Sequence, residues 1–313
     1  MIVDEDVQRI VSASLPWKNF TGLDILISGA SGFLPSYMLK TLIYLNQHVL
    51  SAPANITALV RRPVDIPGVE VIVQDVCKPL NRRFHYVIHG ASQASPRYYK
   101  TDPVGTLLAN TRGTENMLNA AIGSNSFLYL SSGDVYSRLD TLDVRSCYGE
   151  SKRMGEVMCT AWLNQVSVPV KIARISHTYG PGMKLDDGRV FADFVRDILN
   201  GGPIVLHSDG SARRPFLYLA DATEAFFTIL LKGEEGQAYN VANPSQIVSI
   251  RQLADRLASL YQLDVSYIER TDSNYLAAKG EEIFPDIGSL EALGWSPVTS
   301  IEAGFRRTVE SYR

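Results

Sequence analysis

Strand-length apolar runs alternate along the chain with longer segments whose apolar residues recur every three to four positions. The short runs predict buried β-strands, and the longer segments predict amphipathic helices. Strands that alternate with helices of this length form a parallel sheet with helices on both faces, so the pattern predicts an α/β protein with a doubly wound sheet. The predicted strands are DILISG, NITALV, VEVIVQDV, HYVIHGAS, SFLYLSSG and VKIARIS, and the predicted helices are PSYMLKTLIYLN, VGTLLANTRGTENMLNAA and CYGESKRMGEVMCTAWLNQ.

The rhythm of the pattern divides the sequence into three parts. Residues 2–14 predict a short amphipathic helix within an N-terminal helical extension of residues 1–21. Residues 22–175 carry the alternation of strands and helices. Residues 176–313 are loop-rich, with helices separated by short strands, and they predict a smaller, mostly helical C-terminal lobe packed on the sheet. We expect some segments of that lobe to return to the first domain.

Composition narrows the function classes. The chain has 313 residues, 30 Lys and Arg against 33 Asp and Glu, and a net charge of -3, which gives no support for bulk nucleic-acid or membrane binding. No apolar run reaches the roughly 20 residues of a membrane span, and the acidic start of the chain does not resemble a signal peptide. Three scattered cysteines and five histidines without ligand spacing predict reduced thiols, no metal site and a cytoplasmic protein.

A glycine-containing turn follows the first strand. Gly29 and Gly32 occupy the first two glycine positions of a G-x-x-G-x-x-G pattern, and Pro35 stands at the third. The glycines let the backbone approach a pyrophosphate, which backbone N–H groups and the helix dipole hold, and proline is tolerated in the first turn of a helix. Because it follows the first strand of the alternating pattern, the turn predicts a Rossmann-type domain that binds a dinucleotide such as NAD(P) over residues 22–175, with a purely structural glycine turn as the alternative.

The ends of the next two strands concern the adenosine of such a cofactor. Arg61, with Arg62 beside it, stands where an acidic residue would bind the ribose 2′-hydroxyl. Arginine suits a 2′-phosphate, so this position favours NADP, and two solvated arginines are the equally weighted alternative. Asp75 and Val76 follow the next strand and can border an adenine, with a solvated loop aspartate as the alternative.

Candidate catalytic residues lie on the fifth strand and the helix after it. Tyr148 and Lys152 are four residues apart, which puts both side chains on one face of a helix. A tyrosine with a pKa of about 10 is a poor base at pH 7, and we expect the Lys152 ammonium to favour its phenolate. Ser132 ends the upstream strand and is expected to face the same site. The set predicts proton abstraction from a sugar hydroxyl while hydride leaves to the cofactor.

These motifs together resemble an extended short-chain dehydrogenase/reductase of the NAD-dependent epimerase/dehydratase family, which works on nucleotide sugars. The resemblance spans nearly the whole chain after residue 22 and is strongest to UDP-glucuronate decarboxylases. It rests on the segments GASGF, HGASQASPRYYKTDPVGTL, NTRGT, SSGDVY, YGESK, RISHTYGPG, GPGMKLDDGRVFADFV and ARRPFLYLADATEA.

The resemblance implies roles for single positions. It implies that Ser132, Asp134, Tyr148 and Lys152 are catalytic, and that the C-terminal lobe binds substrate. The planar guanidinium group of arginine can bind a diphosphate or a carboxylate through two hydrogen bonds, although a surface salt bridge is the alternative for each arginine. The expected cofactor-binding residues, Arg61 included, are Gly29, Ser31, Gly32, Phe33, Leu34, Arg61, Asp75, Val76, Ala91, Ser92, Tyr148, Lys152 and His177, and the expected substrate-binding residues are Ser95, Pro96, Tyr99, Arg189 and Arg214.

The implied reaction begins with oxidation at C4 of the sugar and leaves three outcomes open. A C6 carboxylate can leave as carbon dioxide, the C4 ketone can be reduced from its other face, or a C6 hydroxyl can be eliminated. Related 4,6-dehydratases carry Asp then Glu after the serine, whereas this chain has Gly133 and Asp134, which argues against elimination. Decarboxylases carry Ser then Glu there, so Asp134 keeps the carboxylate but is one methylene shorter.

Several expectations follow from the resemblance as a whole. It favours NAD, against the local preference of Arg61 and Arg62 for NADP. The best expectation is a UDP-glucuronate decarboxylase-like enzyme, with a 4-epimerase, an NADPH-dependent 4-ketoreductase of a deoxy sugar or a non-catalytic dinucleotide-binding protein as alternatives. It also suggests a homodimer through helices around residues 104–121 and 148–165, although the same faces can pack on the sheet.

Overall fold

A computed structural model describes residues 1–137, 143–268 and 285–313. Its strands are β1 (Asp24–Ser28), β2 (Asn55–Val60), β3 (Glu70–Val73), β4 (Tyr86–His89), β5 (Ser126–Ser132), β6 (Val170–Ile175), β7 (His177–Tyr179), β8 (Ile204–Leu206), β9 (Arg213–Tyr218), β10 (Ala238–Val241), β11 (Ile247–Ser249) and β12 (Val265–Tyr267). Its helices are α1 (Ile2–Ser12), α2 (Phe33–His48), α3 (Pro96–Thr101), α4 (Pro103–Asn110), α5 (Arg112–Ala120), α6 (Ser146–Val166), α7 (Val190–Leu199), α8 (Leu219–Lys232), α9 (Ile250–Tyr261), α10 (Gly288–Glu291) and α11 (Ile301–Glu310), with 3-10 turns at Trp17–Phe20, Gly133–Tyr136 and Pro244–Gln246.

Seven strands form one sheet in the order β10-β6-β5-β4-β1-β2-β3, and neighbours along it pair in parallel. The chain order reverses on the two sides of β1, so the sheet is doubly wound and the prediction of a Rossmann-type α/β fold is confirmed. Such a reversal opens a crevice at the carboxyl ends of the strands, which is where open parallel sheets bind ligands.

Both faces of this sheet are covered by helices. Helices α2 and α8 pack on one face, with α1 against them, and α5 and α6 pack on the other, with α4 against both. Successive side chains of β1 alternate between the two layers: Ile25 and Ile27 belong to one apolar core and Leu26 to the other. A strand buried on both faces needs apolar residues at every position, which explains the continuous run at this point of the sequence.

The helix predicted over residues 104–121 is instead two helices, so that prediction is wrong in its continuity. The break lies at Thr111, whose backbone has φ -113° and ψ -73° and whose hydroxyl donates to the Leu107 carbonyl. Just beyond the break, a Cβ on Gly113 would lie 2.8 Å from a Val76 methyl carbon. The apolar period runs through both helices, because both pack against neighbouring elements, and therefore hides the break.

The second half of the chain builds small sheets and also returns to the large one. Strands β11, β9 and β7 form one small sheet, and β12 and β8 form another. They pack with α7, α9 and α11. Strand β10 pairs in parallel with β6 at the edge of the large sheet. The C-terminal half therefore contributes to the large sheet as well as forming the small ones.

The predicted N-terminal helix is confirmed as α1, and a buried carboxylate anchors it. Asp6 is 2% exposed and accepts hydrogen bonds from the hydroxyls of Tyr37 and Tyr218 at 3.1 and 2.6 Å. Arg307 of α11 donates to the other Asp6 oxygen at 2.9 Å. The first helix is thus tied to α2, β9 and the last helix. Among the described helices, none is both long and apolar enough to cross a membrane.

Candidate active site

A cavity of about 1020 Å³ opens where the strands of the large sheet end. It brings together most of the residues predicted from the sequence, and segments of both halves of the chain line it. The volume is sufficient for a dinucleotide head and a nucleotide sugar side by side. The site residues predicted from the sequence that line this cavity are Gly32, Phe33, Leu34, Ser92, Pro96, Tyr99, Ser132, Asp134, Tyr148, Lys152, His177, Arg189 and Arg214.

The glycine turn fits a pyrophosphate. Gly29 has φ +70°, and a Cβ on it would lie 2.7 Å from the Cα of Ala91, so a side chain is excluded twice. Pro35 is buried in the first turn of α2, and its ring would collide with a Cβ on Gly90. The Oγ of Ser92 is buried with no partner among the described residues, as expected of a group that binds an absent ligand. These features accommodate a nicotinamide dinucleotide.

The residues predicted around the adenosine lie outside the cavity wall. Arg61 is exposed at the end of β2, and exposed Asp75 accepts a hydrogen bond from the Cys77 N–H at 2.8 Å. Val76 is buried, and its carbonyl accepts from Asn116 at 2.9 Å. Gly29, Ser31 and Ala91 border the turn without lining the cavity. An adenosine at this position would therefore lie against an open surface.

Tyr148 and Ser132 are joined by a hydrogen bond, and Lys152 lines the same cavity. Burial, followed by the charge of Asp134, raises the pKa of Tyr148 to about 12, and a hydrogen bond with Ser132 opposes this. The Lys152 Nζ donates to the Leu130 carbonyl at 2.7 Å, and burial lowers the pKa of this lysine to about 7. That the Lys152 ammonium favours the Tyr148 phenolate stays a prediction, because the hydrogen bond to Leu130 fixes the place of the amine but not its effect on Tyr148.

Asp134 faces a cluster of positive charge. Burial raises the pKa of its carboxyl, and the guanidinium groups of Arg145, Arg189 and Arg214 pull it back down. The same arginines, after burial, lower the pKa of His177 to about 3, so the imidazole is neutral at pH 7. Three cations around one carboxyl leave this end of the cavity positive, which suits an anionic ligand.

The predicted sugar-facing residues are held by contacts within the protein. The hydroxyl of Tyr99 donates to the Ala94 carbonyl at 3.0 Å, and Arg189 donates to the same carbonyl at 2.8 Å. Arg189 also pairs with Asp187 at 3.2 Å, so its position is fixed without substrate. The hydroxyl of Ser95 donates to the Asp187 carbonyl and does not line the cavity. Ser95 thus joins α3 to the loop that carries Arg189.

Arg145 is the functional candidate that the sequence prediction missed. It lines the cavity and precedes Tyr148 by three residues, at the start of α6. Asp143 accepts from the backbone N–H groups of Arg145 and Ser146 at 2.8 and 3.2 Å, which fixes this turn. The i, i+3 spacing to Tyr148 is the signal that could have found it, because residues so spaced share a helix face.

Comparison with known proteins decides the family. The sequence model described as NAD dependent epimerase/dehydratase family matches residues 25–242. The protein belongs to this family. The matched range runs from the first strand of the large sheet to the last, so the epimerase/dehydratase assignment covers both the glycine turn and the catalytic wall.

Individual members of this family are similar over most of the chain. UDP-glucuronic acid decarboxylase 6 of Arabidopsis thaliana is 30% identical over 94% of this chain and 90% of its own length. UDP-glucose 4-epimerase of Thermotoga maritima, solved with UDP-glucose, superposes with a TM-score of 0.77 at 20% identity, over 92% of this chain and 98% of the epimerase. DesIV, a dTDP-glucose 4,6-dehydratase of Streptomyces venezuelae solved with NAD, gives 0.77 at 21%, over 92% and 96%. The two structures establish the likeness of fold.

Proposed function

We propose that this protein is an NAD-dependent decarboxylase of a UDP-linked hexuronate, with UDP-glucuronate as its substrate. The similarity to UDP-glucuronic acid decarboxylases over nearly the whole length supports the substrate. The observation that carries the proposal is the cluster of Arg145, Arg189 and Arg214 around Asp134 beside Tyr148. A neutral hexose needs cations only at its diphosphate, whereas a hexuronate brings a further negative charge next to the reacting carbon.

The chemistry divides between the cofactor and the chain. When bound, NAD supplies a hydride acceptor for C4 of the sugar and a positive charge beside Tyr148. The Tyr148 oxygen takes the proton from the C4 hydroxyl, and the hydroxyl of Ser132 orients that oxygen through their hydrogen bond. Because the pKa of Tyr148 is about 12 in the protein alone, ionisation of Tyr148 requires the positive charge that arrives with the cofactor.

Loss of carbon dioxide follows from the C4 ketone. The C5–C6 bond breaks, carbon dioxide leaves, and the electron pair moves to the C4 oxygen, where Tyr148 and Ser132 can donate hydrogen bonds. Burial raises the pKa of Asp134, which favours its protonated form, and its carboxyl would give a proton to C5. C4 would then take back the hydride and Tyr148 would return its proton to the C4 oxygen, which gives the UDP-pentose with no net oxidation. Arginines 189 and 214 would hold the diphosphate, and Arg145, closest along the chain to Tyr148, would hold the C6 carboxylate.

The test combines product analysis with a matched pair of arginine variants. Purified protein with UDP-glucuronate should release carbon dioxide and yield a UDP-pentose by NMR. In a binding titration, Arg145→Met should weaken UDP-glucuronate at least tenfold more than UDP-glucose, since UDP-glucose lacks the carboxylate. Arg153→Met on the same helix is the control, because its side chain is 47% exposed and pairs with Glu150 on the surface. Turnover without carbon dioxide would contradict the proposal.

A 4-epimerase is the second candidate, and the space at Gly133 favours it. A Cβ on Gly133 would meet only the Ile175 carbonyl oxygen, at 3.5 Å, within 4 Å. That space gives a keto sugar room to turn and present its other face to the hydride. The same NMR experiment separates the two, because an epimerase would convert UDP-glucuronate to its C4 epimer with all six sugar carbons retained.

We further propose a homodimer and a cytoplasmic location. Val104 and Leu107 of α4, and Met154 and Val157 of α6, are 39% to 62% exposed on two helices that pack together. An apolar stripe of this kind supports pairing with the same stripe of a second copy. Three unpaired cysteines support a reducing compartment. We also propose the division into residues 1–21, 22–175 and 176–313, with β10 returning to the second part.

A further inference from the structure

A chain of hydrogen bonds joins the helix that bears Tyr148 and Lys152 to the turn that bears Asp134. It begins at Glu156, which lies one helical turn after Lys152. The Glu156 carboxylate accepts a hydrogen bond from the Ser131 hydroxyl at 2.6 Å. Arg174 of β6 donates to both oxygens of Glu156, at 2.6 and 3.0 Å. The ion pair is largely buried, with the Glu156 side chain 10% exposed. Its geometry is therefore fixed on both sides.

The chain continues from Arg174 to the end of the 3-10 turn. The remaining guanidinium nitrogen of Arg174 donates to the hydroxyl of Tyr136 at 2.8 Å, and that hydroxyl donates to the side-chain amide oxygen of Asn240, Oδ1, at 2.7 Å. The guanidinium also lies 4.9 Å from the centre of the Tyr136 ring. Tyr136 closes the turn Gly133–Tyr136, so its hydroxyl ties the Asp134 segment to β6 and β10 at once.

We infer that Tyr136 is a positioning residue, whose hydroxyl, clamped between Arg174 and Asn240, sets the place of Asp134 over the sugar. The inference rests on the proposed function. Asp134 has one methylene fewer than the Glu expected at this position, so its reach depends on where the backbone turn is held. A displacement of about 1 Å at a reacting group can cost on the order of 100-fold in rate. Tyr136 lines the cavity wall beside Asp134, where such a displacement would be felt.

The decisive variant is Tyr136→Phe, which removes the hydroxyl and keeps the ring against the guanidinium. Asn240→Leu removes the other end of the clamp, and Tyr267→Phe, 60% exposed on β12, is the matched control. We expect Tyr136→Phe to lower kcat for carbon dioxide release about tenfold or more with KM within twofold of the parent. With NAD added in excess, we also expect more 4-keto sugar to be released, each molecule with one equivalent of reduced cofactor, because oxidation at C4 does not require Asp134.

A second readout needs no substrate. The N–H of Asp134 donates to the Ser132 hydroxyl, and the N–H of Ser137 donates to the Asp134 carbonyl. Amide hydrogen exchange at these two positions should accelerate about tenfold in Tyr136→Phe and Asn240→Leu, with no change in Tyr267→Phe.

Two outcomes would overturn the inference. One is unchanged exchange and an unchanged kcat in Tyr136→Phe. The other is a parallel loss of thermal stability, NAD affinity and KM, which would show a general structural role. A parent protein that does not decarboxylate UDP-glucuronate would refute the proposed function and leave the exchange test of Tyr136 standing.

Discussion

The ring of Tyr99 lies stacked on the ring of Tyr148, with centroids 4.9 Å apart and planes inclined by 18°. Tyr99 is itself fixed by its hydrogen bond to the Ala94 carbonyl. The candidate base is therefore oriented by an aromatic neighbour on α3. Stacked aromatic pairs contribute about 0.5–1.5 kcal/mol beyond their burial, enough to select one side-chain position.

Two replacements of Tyr99 should therefore distinguish the contribution of its ring to catalysis from that of its hydroxyl. Tyr99→Leu should lower kcat about tenfold, because the Tyr148 ring loses its stacking partner. Tyr99→Phe keeps the stack and should stay within about threefold of the parent. Steady-state kinetics with the substrate that the product analysis identifies would measure both, and Tyr98→Leu at the exposed neighbouring position is the control. Equal effects of the Leu and Phe variants would show that the hydroxyl, rather than the stack, orients Tyr148.

The buried Lys152 predicts a distinct pH dependence of stability. Its folded pKa of about 7 lies below the ordinary value of 10.5. Below pH 7 both states carry the proton and the cost of burying the charge is felt in full. As the pH rises above 7, the folded protein releases the proton and the unfolded chain keeps it, so the free energy of unfolding rises.

Urea denaturation at pH 6.5 and pH 8.5 would measure this effect. The free energy of unfolding of the parent, relative to Lys152→Met, should increase by about 1–2 kcal/mol across that interval. A difference of one bound proton between the unfolded and folded states changes this free energy by about 1.4 kcal/mol for each pH unit. An exposed control, Lys184→Met, should show no pH-dependent difference from the parent. If the Lys152→Met and parent curves ran parallel, the lysine would titrate at its ordinary value in the folded protein.

The features predicted correctly from the sequence are those that depend on neighbours along the chain. The turn at Gly29 and Gly32 is local, and the strand runs are local, so pattern and turn chemistry suffice for both. The i, i+4 spacing likewise places Tyr148 and Lys152 on one helix face. It does not specify where a long side chain ends, and the amine of Lys152 ends at the Leu130 carbonyl.

The features missed depend on residues distant in sequence. Glu156 meets Arg174 only because α6 packs against β6, and nothing near either residue indicates the pair. The positive end of the cavity combines Arg145 from the first half of the chain with Arg189 and Arg214 from the second. Such clusters require the tertiary arrangement, whereas each arginine alone is equally compatible with a surface salt bridge.

The N-terminal helix should depend for its docking on Asp6. Asp6→Ala removes the acceptor of two tyrosine hydroxyls and leaves Arg307 without its buried partner. Loss of one member of a buried ion pair costs about 3–5 kcal/mol, and we expect thermal denaturation to show a decrease of that order. Asp4→Ala, whose side chain is 60% exposed, is the control and should change stability by less than about 0.5 kcal/mol. Similar small effects of both variants would show that α1 does not rely on this cluster.

Arg61 offers a test of cofactor preference that needs no substrate. Its exposed guanidinium stands at the end of β2, where a 2′-phosphate would lie, and its charge reaches Asp102 and Cys77. Because Asp102 lies within reach of this charge, we expect the site to prefer NAD. Arg61→Ala should leave NAD affinity within about twofold and weaken NADP about tenfold, since a charge-assisted hydrogen bond is worth about 1.5–3 kcal/mol.

Isothermal titration of the protein with each dinucleotide would measure both affinities. Arg62→Ala is the matched control, because Arg62 is likewise an exposed arginine just after β2. Asp102→Asn should act in the opposite direction and strengthen NADP binding, because it removes the negative charge that faces Arg61. If the parent protein binds NADP more tightly than NAD, the attraction of Arg61 for the 2′-phosphate exceeds the repulsion from Asp102. That result would favour the NADPH-dependent 4-ketoreductase over the decarboxylase.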